Sequence, residues 1–264
     1  MVELTINKYD NGAAGADSNL TTVTQCIDNL TDHNRLATFT YDYRNRRLTA
    51  FSGTDGINAS FAKTYFDNID RVFKSERYAT DSEPGDGNLL ARSETFFDDR
   101  SRVYETKTYA VDPSDGSVGN ALIGGNWYDP AGNVLKSSAP GAGEVFTINE
   151  FDSLGRNFRT YLAYDDSGDV IIEESLTTFD VVSNMLYTTG NQRDTDASSF
   201  RSAYTANWYD GIDRPIASAS YGTNSGGGGS AFTRPATTPT RSDDILITST
   251  SYNPDTGEVF ATTD

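Results

Sequence analysis

Apolar and polar residues alternate along most of the chain, in short runs that end at turn-forming residues. The runs RVFKSERYA at 71–79 and RVYETKTYAV at 102–111 are examples. A period close to two is typical of half-buried β-strands, and Leu-rich runs at helical spacing are missing. The 15 Tyr, 14 Phe and 23 Gly residues fit the same pattern. The sequence therefore predicts an all-β protein.

A short motif recurs between these runs. Asn-Trp-Tyr-Asp occurs at 126–129 and again at 207–210, and Tyr or Phe precedes Asp nine times, against about three expected by chance. Seven of these aromatic residues begin copies that align, with starts 25, 31, 31, 23, 28 and 30 residues apart: Tyr41, Phe66, Phe97, Tyr128, Phe151, Phe179 and Tyr209. An eighth, degenerate copy begins at Tyr252. Such spacing indicates a repeat architecture.

Each copy is predicted to form a β-hairpin. We number a copy from its aromatic residue, position 0, so that Asp stands at +1. Asp suits the first position of a type I turn, and the residue at +4 must then adopt a left-handed backbone conformation. Small or turn-favouring residues occupy +4 in every copy: Asn45, Asp70, Ser101, Gly132, Gly155, Ser183 and Asp213. The spacing therefore predicts a tight hairpin in all seven copies.

Position +5 is Arg in five copies and Asn in two. A hairpin of this length places +1 opposite +5 and so predicts five cross-strand ion pairs. These pairs are Asp42–Arg46, Asp67–Arg71, Asp98–Arg102, Asp152–Arg156 and Asp210–Arg214. The same register predicts that position −1 lies opposite +7, as in Tyr65 with Phe73 and Trp208 with Ile216. The ion pairs are expected to fix the register of each hairpin.

These residues resemble the YD-repeat, or rearrangement-hotspot (RHS), family. The family motif is roughly aromatic-Asp-x-x-Gly-Arg-Leu, and Phe151-Asp152-Ser153-Leu154-Gly155-Arg156 matches its first six positions. The resemblance covers about residues 36 to 260 and implies tandem hairpins joined into a continuous curved or spiralling antiparallel sheet. In that family the sheet encloses a toxin passenger or serves as a cell-surface scaffold, and the position 0 aromatics stack along it.

This chain also departs from the family pattern. It has fewer copies than a complete shell, and the segment that precedes self-cleavage in toxin members is not recognisable, so autoproteolysis is not predicted. We divide the chain into lead-in strands or a degenerate repeat at 1–35, the hairpin array at 36–221, a flexible Gly/Pro/Thr-rich loop at 222–244 and a terminal degenerate repeat at 245–264.

Composition excludes several classes of function. The formal net charge is −17, which argues against nucleic acid or an anionic membrane as a partner. No apolar run approaches the ~18 residues of a membrane span. The single Cys26 and the single His33 stand in no recognisable catalytic motif, so an enzyme, in particular a hydrolase, is not expected. No cofactor is predicted, although the Asp-rich stretches at 81–88 and 112–120 could offer oxygen ligands to Ca²⁺.

The leading hypothesis is a non-catalytic structural segment outside the cytoplasm, with any export signal outside this chain. Its partners would be further repeats of the same or a longer chain, or other copies that pair through the open sheet edges. The alternative is a cell-surface module that binds a glycan or a protein through exposed aromatic rows. Trp127 and Trp208 are the candidate ligand-stacking residues of that alternative.

Overall fold

The protein is all-β. The computed structural model describes residues 4–12, 17–26, 34–54, 57–79, 89–164, 170–193, 200–223 and 232–263. Its strands are β1 (Leu4–Tyr9), β2 (Leu20–Cys26), β3 (Arg35–Tyr41), β4 (Arg47–Thr54), β5 (Ile57–Phe66), β6 (Val72–Tyr78), β7 (Leu89–Phe97), β8 (Val103–Val111), β9 (Val118–Tyr128), β10 (Val134–Ser138), β11 (Phe146–Phe151), β12 (Asn157–Ala163), β13 (Ile171–Phe179), β14 (Met185–Arg193), β15 (Phe200–Tyr209), β16 (Pro215–Gly222), β17 (Leu246–Tyr252) and β18 (Val259–Thr263). Within those ranges the only helical segment is a 3₁₀ turn at Asp10–Gly12.

The strands form two compact units. The first comprises Met1–Asn126 with Ala139–Gly141, and the second comprises Trp127–Ser138 with Ala142–Asp264. In the first unit each strand from β1 to β8 pairs antiparallel with the next strand in sequence. In the second unit the same holds from β10 to β17. The predicted all-β array of tandem antiparallel hairpins is confirmed. The predicted domain boundaries stay predictions.

A β-bulge follows the turn in six copies, which corrects the predicted register: those at Tyr41, Phe66, Phe97, Phe151, Phe179 and Tyr209. Position −1 lies opposite +8 instead of +7: Tyr65 pairs with Lys74, and Trp208 pairs with Ala217. A bulge sets two residues of one strand against one residue of the other, so the residue at +7 is the extra one. The aromatic contact survives, because the Tyr65 and Phe73 rings still lie 6.3 Å apart.

The two faces of the sheet differ in both units. Side chains alternate across a strand, so the −1 face carries positions −1, −3, −5, +8 and +10, and the 0 face carries positions 0, −2, −4, +9 and +11. The 0 face has small residues at mid-strand, such as the paired Ser75, Ser93 and Thr108 of the first unit. At mid-strand the −1 face instead carries charged and large aromatic residues, such as Lys74, Glu76 and Tyr109. The sequence analysis did not predict this asymmetry.

The apolar core of the second unit lies on the −1 face of β15 to β17. Its buried residues are Ala206, Trp208, Ala217, Ala219, Tyr221 and Ile247. The end of the predicted flexible loop packs against this core. Phe232 stacks on Tyr204, which also packs against the core, with ring centroids 4.7 Å apart. The described part of that loop, 232–244, is therefore an ordered cover and not a free excursion; residues 224–231 lie outside the described ranges.

Candidate functional site: a ladder of acidic turns

The repeat turns share one backbone geometry. In the Phe151 copy, the Asp152 N–H donates to the Arg156 carbonyl at 2.9 Å, and the Gly155 N–H donates to the Asp152 carbonyl at 2.9 Å. The +4 residue has a positive φ in all seven copies: Asn45 (60°), Asp70 (69°), Ser101 (65°), Gly132 (103°), Gly155 (78°), Ser183 (78°) and Asp213 (64°). This is the left-handed region in which Gly, Asn and Asp carry the smallest steric cost.

The Asp carboxylate closes each turn through three hydrogen bonds. Oδ1 of Asp152 accepts the backbone N–H groups of Leu154 and Arg156 at 2.9 and 3.0 Å, and Oδ2 accepts Arg156 Nε at 2.7 Å. The five predicted Asp–Arg pairs all lie in contact. Where Asn replaces Arg, it occupies the same place: Asn184 Nδ2 donates to Asp180 Oδ2 at 2.9 Å.

These bonds favour the ionised carboxylate. The Arg156 backbone N–H, together with the Arg156 side chain and the Leu154 N–H, holds the pKa of Asp152 below its usual range. The pKa of Asp98 is lowered by the corresponding groups of its own turn, the Arg102 N–H first. At Asp42 the Arg46 side chain is the main cause of the lowered pKa. The turn aspartates are therefore anionic over the neutral pH range.

The +5 arginine also joins its turn to the next one. Arg156 Nη1 donates to the Asp180 carbonyl at 2.8 Å, and the guanidinium lies 4.7 Å from the centroid of the Phe179 ring. The same stacking of +5 on the following position 0 aromatic occurs at Arg46–Phe66 (4.8 Å), Arg71–Phe97 (4.4 Å) and Arg214–Tyr252 (4.2 Å). Each such Arg therefore holds two turns, through hydrogen bonds and cation–π contact.

A second inter-turn contact explains the repeated Asn-Trp-Tyr-Asp. Asn207, at −2, donates through Nδ2 to the Met185 carbonyl at 3.1 Å, and the Tyr209 hydroxyl donates to the same carbonyl at 3.0 Å. Met185 stands at +6 of the preceding copy. Asn126 and Asn149 also occupy −2. Their Nδ2 groups donate to the +6 carbonyls of the preceding copies, those of Val103 and Val134 respectively. The sequence analysis missed these residues, although Asn at −2 in three copies was the available signal.

The ladder includes a degenerate copy at Tyr9, within the segment 1–35 for which lead-in strands or a degenerate repeat were predicted. Asp10 N donates to the Asn19 carbonyl at 2.8 Å, and Asn19 N donates to Asp10 Oδ1 at 2.8 Å, so Asn19 takes the +5 role after an insertion. Asn19 Nδ2 then reaches Asn45 Oδ1, at +4 of the next turn, at 2.9 Å. The insertion hid this copy from an alignment with fixed spacing.

The two candidate ligand-stacking tryptophans have opposite environments. Trp127 is 44% exposed, with the Phe146 ring at 6.1 Å and Lys136 Nζ at 4.2 Å from its ring centroid. Trp208 is 3% exposed: its Nε1 donates to the Pro235 carbonyl at 3.1 Å, and Arg234 covers the ring at 4.9 Å. The prediction that Trp208 is an exposed stacking residue is therefore corrected, because the cover occupies its face.

The remaining candidate features are a groove, the two Asp-rich stretches, His33 and Cys26. A groove of about 480 Å³ lies on the 0 face of β12 to β15, where Thr160, Ser175 and Gly190 share its floor. In the 112–120 turn the Asp112 carboxylate accepts Ser114 N at 2.9 Å, and the described ranges contain no group of three or more His, Cys, Asp or Glu side chains suited to a metal ion. The 81–88 stretch and His33 lie outside the described residues. Cys26 is a free, half-buried thiol at the end of β2.

Together these features define a class: an all-β protein of tandem antiparallel hairpins whose turns are joined by side-chain contacts. No family model and no curated protein matches the chain. The crystal structure of TcdB2-TccC3 without its hypervariable C-terminal region matches with a TM-score of 0.37 and 10% identity, over 97% of this chain and 15% of that chain. The TcdB2-TccC3-TEV structure matches with the same values. The chain thus spans about 15% of the length of these structures. In the described residues no helix has the length and hydrophobicity of a membrane span.

Proposed function

We propose that this chain is a non-catalytic YD-repeat segment that builds part of a shell, scaffold or fibre outside the cytoplasm. The observation that carries the proposal is the contact from +5 of one turn to the next turn. Arg46 illustrates it, because Nη1 binds both the Asp67 carbonyl at 3.1 Å and the Asp70 carboxylate at 2.7 Å. A contact repeated from copy to copy stabilises a nearest-neighbour array, which suits a wall of variable length.

The charge state of the turn carboxylates supports a structural role. A general acid or base at neutral pH works best with a pKa near 7. The Asp98 and Asp152 carboxylates have lowered pKa values, and their oxygens are occupied by N–H donors of the turn itself. Such groups are poor proton donors at neutral pH, and they fit a role in holding the hairpins together.

Charge and exposure support a wall that faces water. The net charge of −17 keeps such a surface soluble and disfavours nucleic acid. No cofactor enters this proposal, and the calcium expectation at 81–88 and 112–120 stays a prediction. The partners would be further hairpins of the same kind.

Imaging and activity measurements test the proposal together. The full chain, studied by size-exclusion chromatography and negative-stain microscopy, should give ordered particles, single or assembled into filaments, and no turnover in a panel of hydrolase assays. A specific activity that disappears when a single Asp or Glu is replaced would overturn it. Asp152→Asn, in a repeat turn, and Asp115→Asn, in the turn at 112–120, are the matched variants for these activity assays.

A glycan- or protein-binding module is the second candidate, and Trp127 is the observation in its favour. Its ring is 44% exposed beside Phe146, an arrangement that suits stacking against a sugar face. A glycan array probed with the wild type and with Trp127→Ala tests it. Binding that is lost in Trp127→Ala supports the module, and an empty array or binding that the variant retains contradicts it.

A further inference from the structure

The junctions between successive hairpins all use one register. Position +8 of one copy lies opposite −3 of the next, as in Lys74 opposite Glu94 and Ala217 opposite Ser249. The other junctions within the two units are Thr22–Thr38, Thr49–Lys63, Glu105–Gly125, Lys136–Ile148, Arg159–Leu176 and Tyr187–Ala206. A rule kept at eight junctions specifies how a further strand would pair.

Two strands have one unpaired side each. Among the described residues β1 pairs with β2 alone and β18 pairs with β17 alone, and all residues of both strands are exposed. Apolar side chains stand on both edges, with Leu4 57%, Val259 60% and Phe260 77% exposed. A strand with free N–H and C=O groups is a template for pairing with another chain.

The two edges supply complementary halves of the inter-turn contact. Tyr252 donates its hydroxyl to the carbonyl of Pro215, the +6 residue of the preceding copy, at 2.9 Å. Tyr9 is the position 0 residue of the first turn and is 51% exposed at its edge. Val259 pairs with Tyr252 and therefore takes the +6 role in the last turn, which is one residue longer than the seven repeat turns. Lys8 is the charged residue of β1, and Glu258 immediately precedes β18, so each edge offers one residue of opposite charge to the other.

We propose that β1 of one copy of this chain adds to β18 of a second copy in the ladder register. This places Ile6 opposite Ala261 and Leu4 opposite Thr263, and directs the Tyr9 hydroxyl to the Val259 carbonyl. The interface is heterologous, so repetition gives a filament, or a ring where the rotation closes. The proposal deepens the scaffold function, on which it rests, by naming the partner surface and its register.

Paired cysteines test the register. In a Cys26→Ser background, one preparation of the full chain carries Ile6→Cys and another carries Ala261→Cys, and the two are mixed and mildly oxidised. Directly opposed residues on one face of a sheet are near enough for a disulfide, whereas a one-residue shift turns the second side chain to the other face. The control pairs Ile6→Cys with Thr262→Cys. The disulfide-linked dimer should form roughly tenfold faster in the first mixture.

Assembly in solution gives an independent readout. Light scattering after size exclusion should show mass that rises with protein concentration, and more so at about 500 mM than at about 50 mM salt, because salt screens the repulsion between acidic copies. Ile6→Lys adds a second Lys to β1 and should abolish the rise. A mass that stays monomeric in the wild type, or equal crosslinking in both mixtures, overturns the edge pairing. A wild-type protein that stays monomeric, keeps its β circular dichroism and lacks turnover would overturn the edge pairing without contradicting the scaffold function.

Discussion

The Glu76 region of the first unit and the Trp208 region of the second lie on the −1 face of the repeat but use different side chains. Glu76 is 8% exposed, and its Oε2 accepts the hydroxyls of Tyr65 at 2.7 Å and Tyr78 at 2.8 Å. Lys74 Nζ lies 3.2 Å from Oε1. Despite burial, these donors lower the pKa of Glu76. In this region the buried Glu76 carboxylate is hydrogen-bonded and ion-paired by side chains on the same face of the sheet.

The Trp208 region instead buries apolar groups. Small residues, Ala206, Ala217 and Ala219, make room for the indole, and the 232–245 segment covers it. The comparison shows two solutions to one problem, since a sheet needs its −1 face either covered or made polar. A covered face gains from apolar burial, whereas a face lined with polar groups is stabilised by hydrogen bonds and ion pairs among long side chains.

Trp208→Ala should have the largest effect on this comparison. Removing a buried Trp leaves a cavity and costs about 3–5 kcal/mol of unfolding free energy. Trp127→Ala is the matched control, because it removes the same residue from the same tetrapeptide at an exposed site and should cost less than about 1 kcal/mol. Urea unfolding of the two variants measures the difference. Equal losses would show that the 232–245 segment does not make a core.

Glu76→Gln should have the second largest effect. The amide keeps the shape, but it cannot accept bonds at both ends, and it leaves Lys74 and Arg92 without their shared anion. We expect a loss of about 1–3 kcal/mol in urea unfolding. Glu105→Gln removes an ion pair to Lys107 that is more exposed, and it should cost less than about 0.5 kcal/mol. A Glu76→Gln protein as stable as Glu105→Gln would remove the polar half of the comparison.

Local features could be predicted from the sequence, and non-local ones could not. The left-handed residue at +4 and the +1 to +5 bonds depend on six consecutive residues, so their spacing was sufficient. The register was missed by one residue, because the bulge at +7 follows from the pairing of the whole strand. Trp127 and Trp208 stand in identical tetrapeptides, and what separates them is a cover that begins at Phe232, 24 residues after Trp208. The residues flanking either Trp in the sequence therefore do not show which of the two is covered.

Asp98→Asn and Asp152→Asn should cost the same in the two units, because the ladder is common to both. Asn fits the turn, as Asn253 demonstrates in the last copy by accepting Asp255 N at 2.8 Å through Oδ1. The loss comes from the missing charge beside Arg102 or Arg156, and we expect a drop of a few degrees in Tm at pH 7, smaller than for Glu76→Gln. Unequal drops would mean that the ladder is not a common element.

The pH dependence of these two variants follows from the lowered pKa values. A carboxyl whose pKa is lower in the folded than in the unfolded state stabilises the fold fully above the unfolded value of about 3.9. That stabilisation is lost as the pH falls through the lowered folded value. The Tm difference between the wild type and either variant should therefore be constant from about pH 7 to pH 5 and should close in more acidic buffer. A difference that stays unchanged at low pH would show that the charge of Asp98 or Asp152 is not its cause.

Ser101→Gly and Ser183→Gly should have the smallest effect on the free energy of unfolding. Unlike the other variants, they should not destabilise the fold. Both serines adopt positive φ, 65° and 78°, which costs a residue with a Cβ more than it costs Gly. Ser101 Oγ accepts Arg71 Nη1 at 3.0 Å, whereas Ser183 Oγ accepts Arg156 Nη1 at 3.3 Å. Relief of the backbone should therefore dominate at Ser183, with a gain of about 0.5 kcal/mol in urea unfolding, while the lost hydrogen bond cancels most of the gain at Ser101. A loss at Ser183 would show that the contact from +5 to +4 contributes more than the strained backbone costs, and that it contributes to stability in the turns of the Trp208 unit as well.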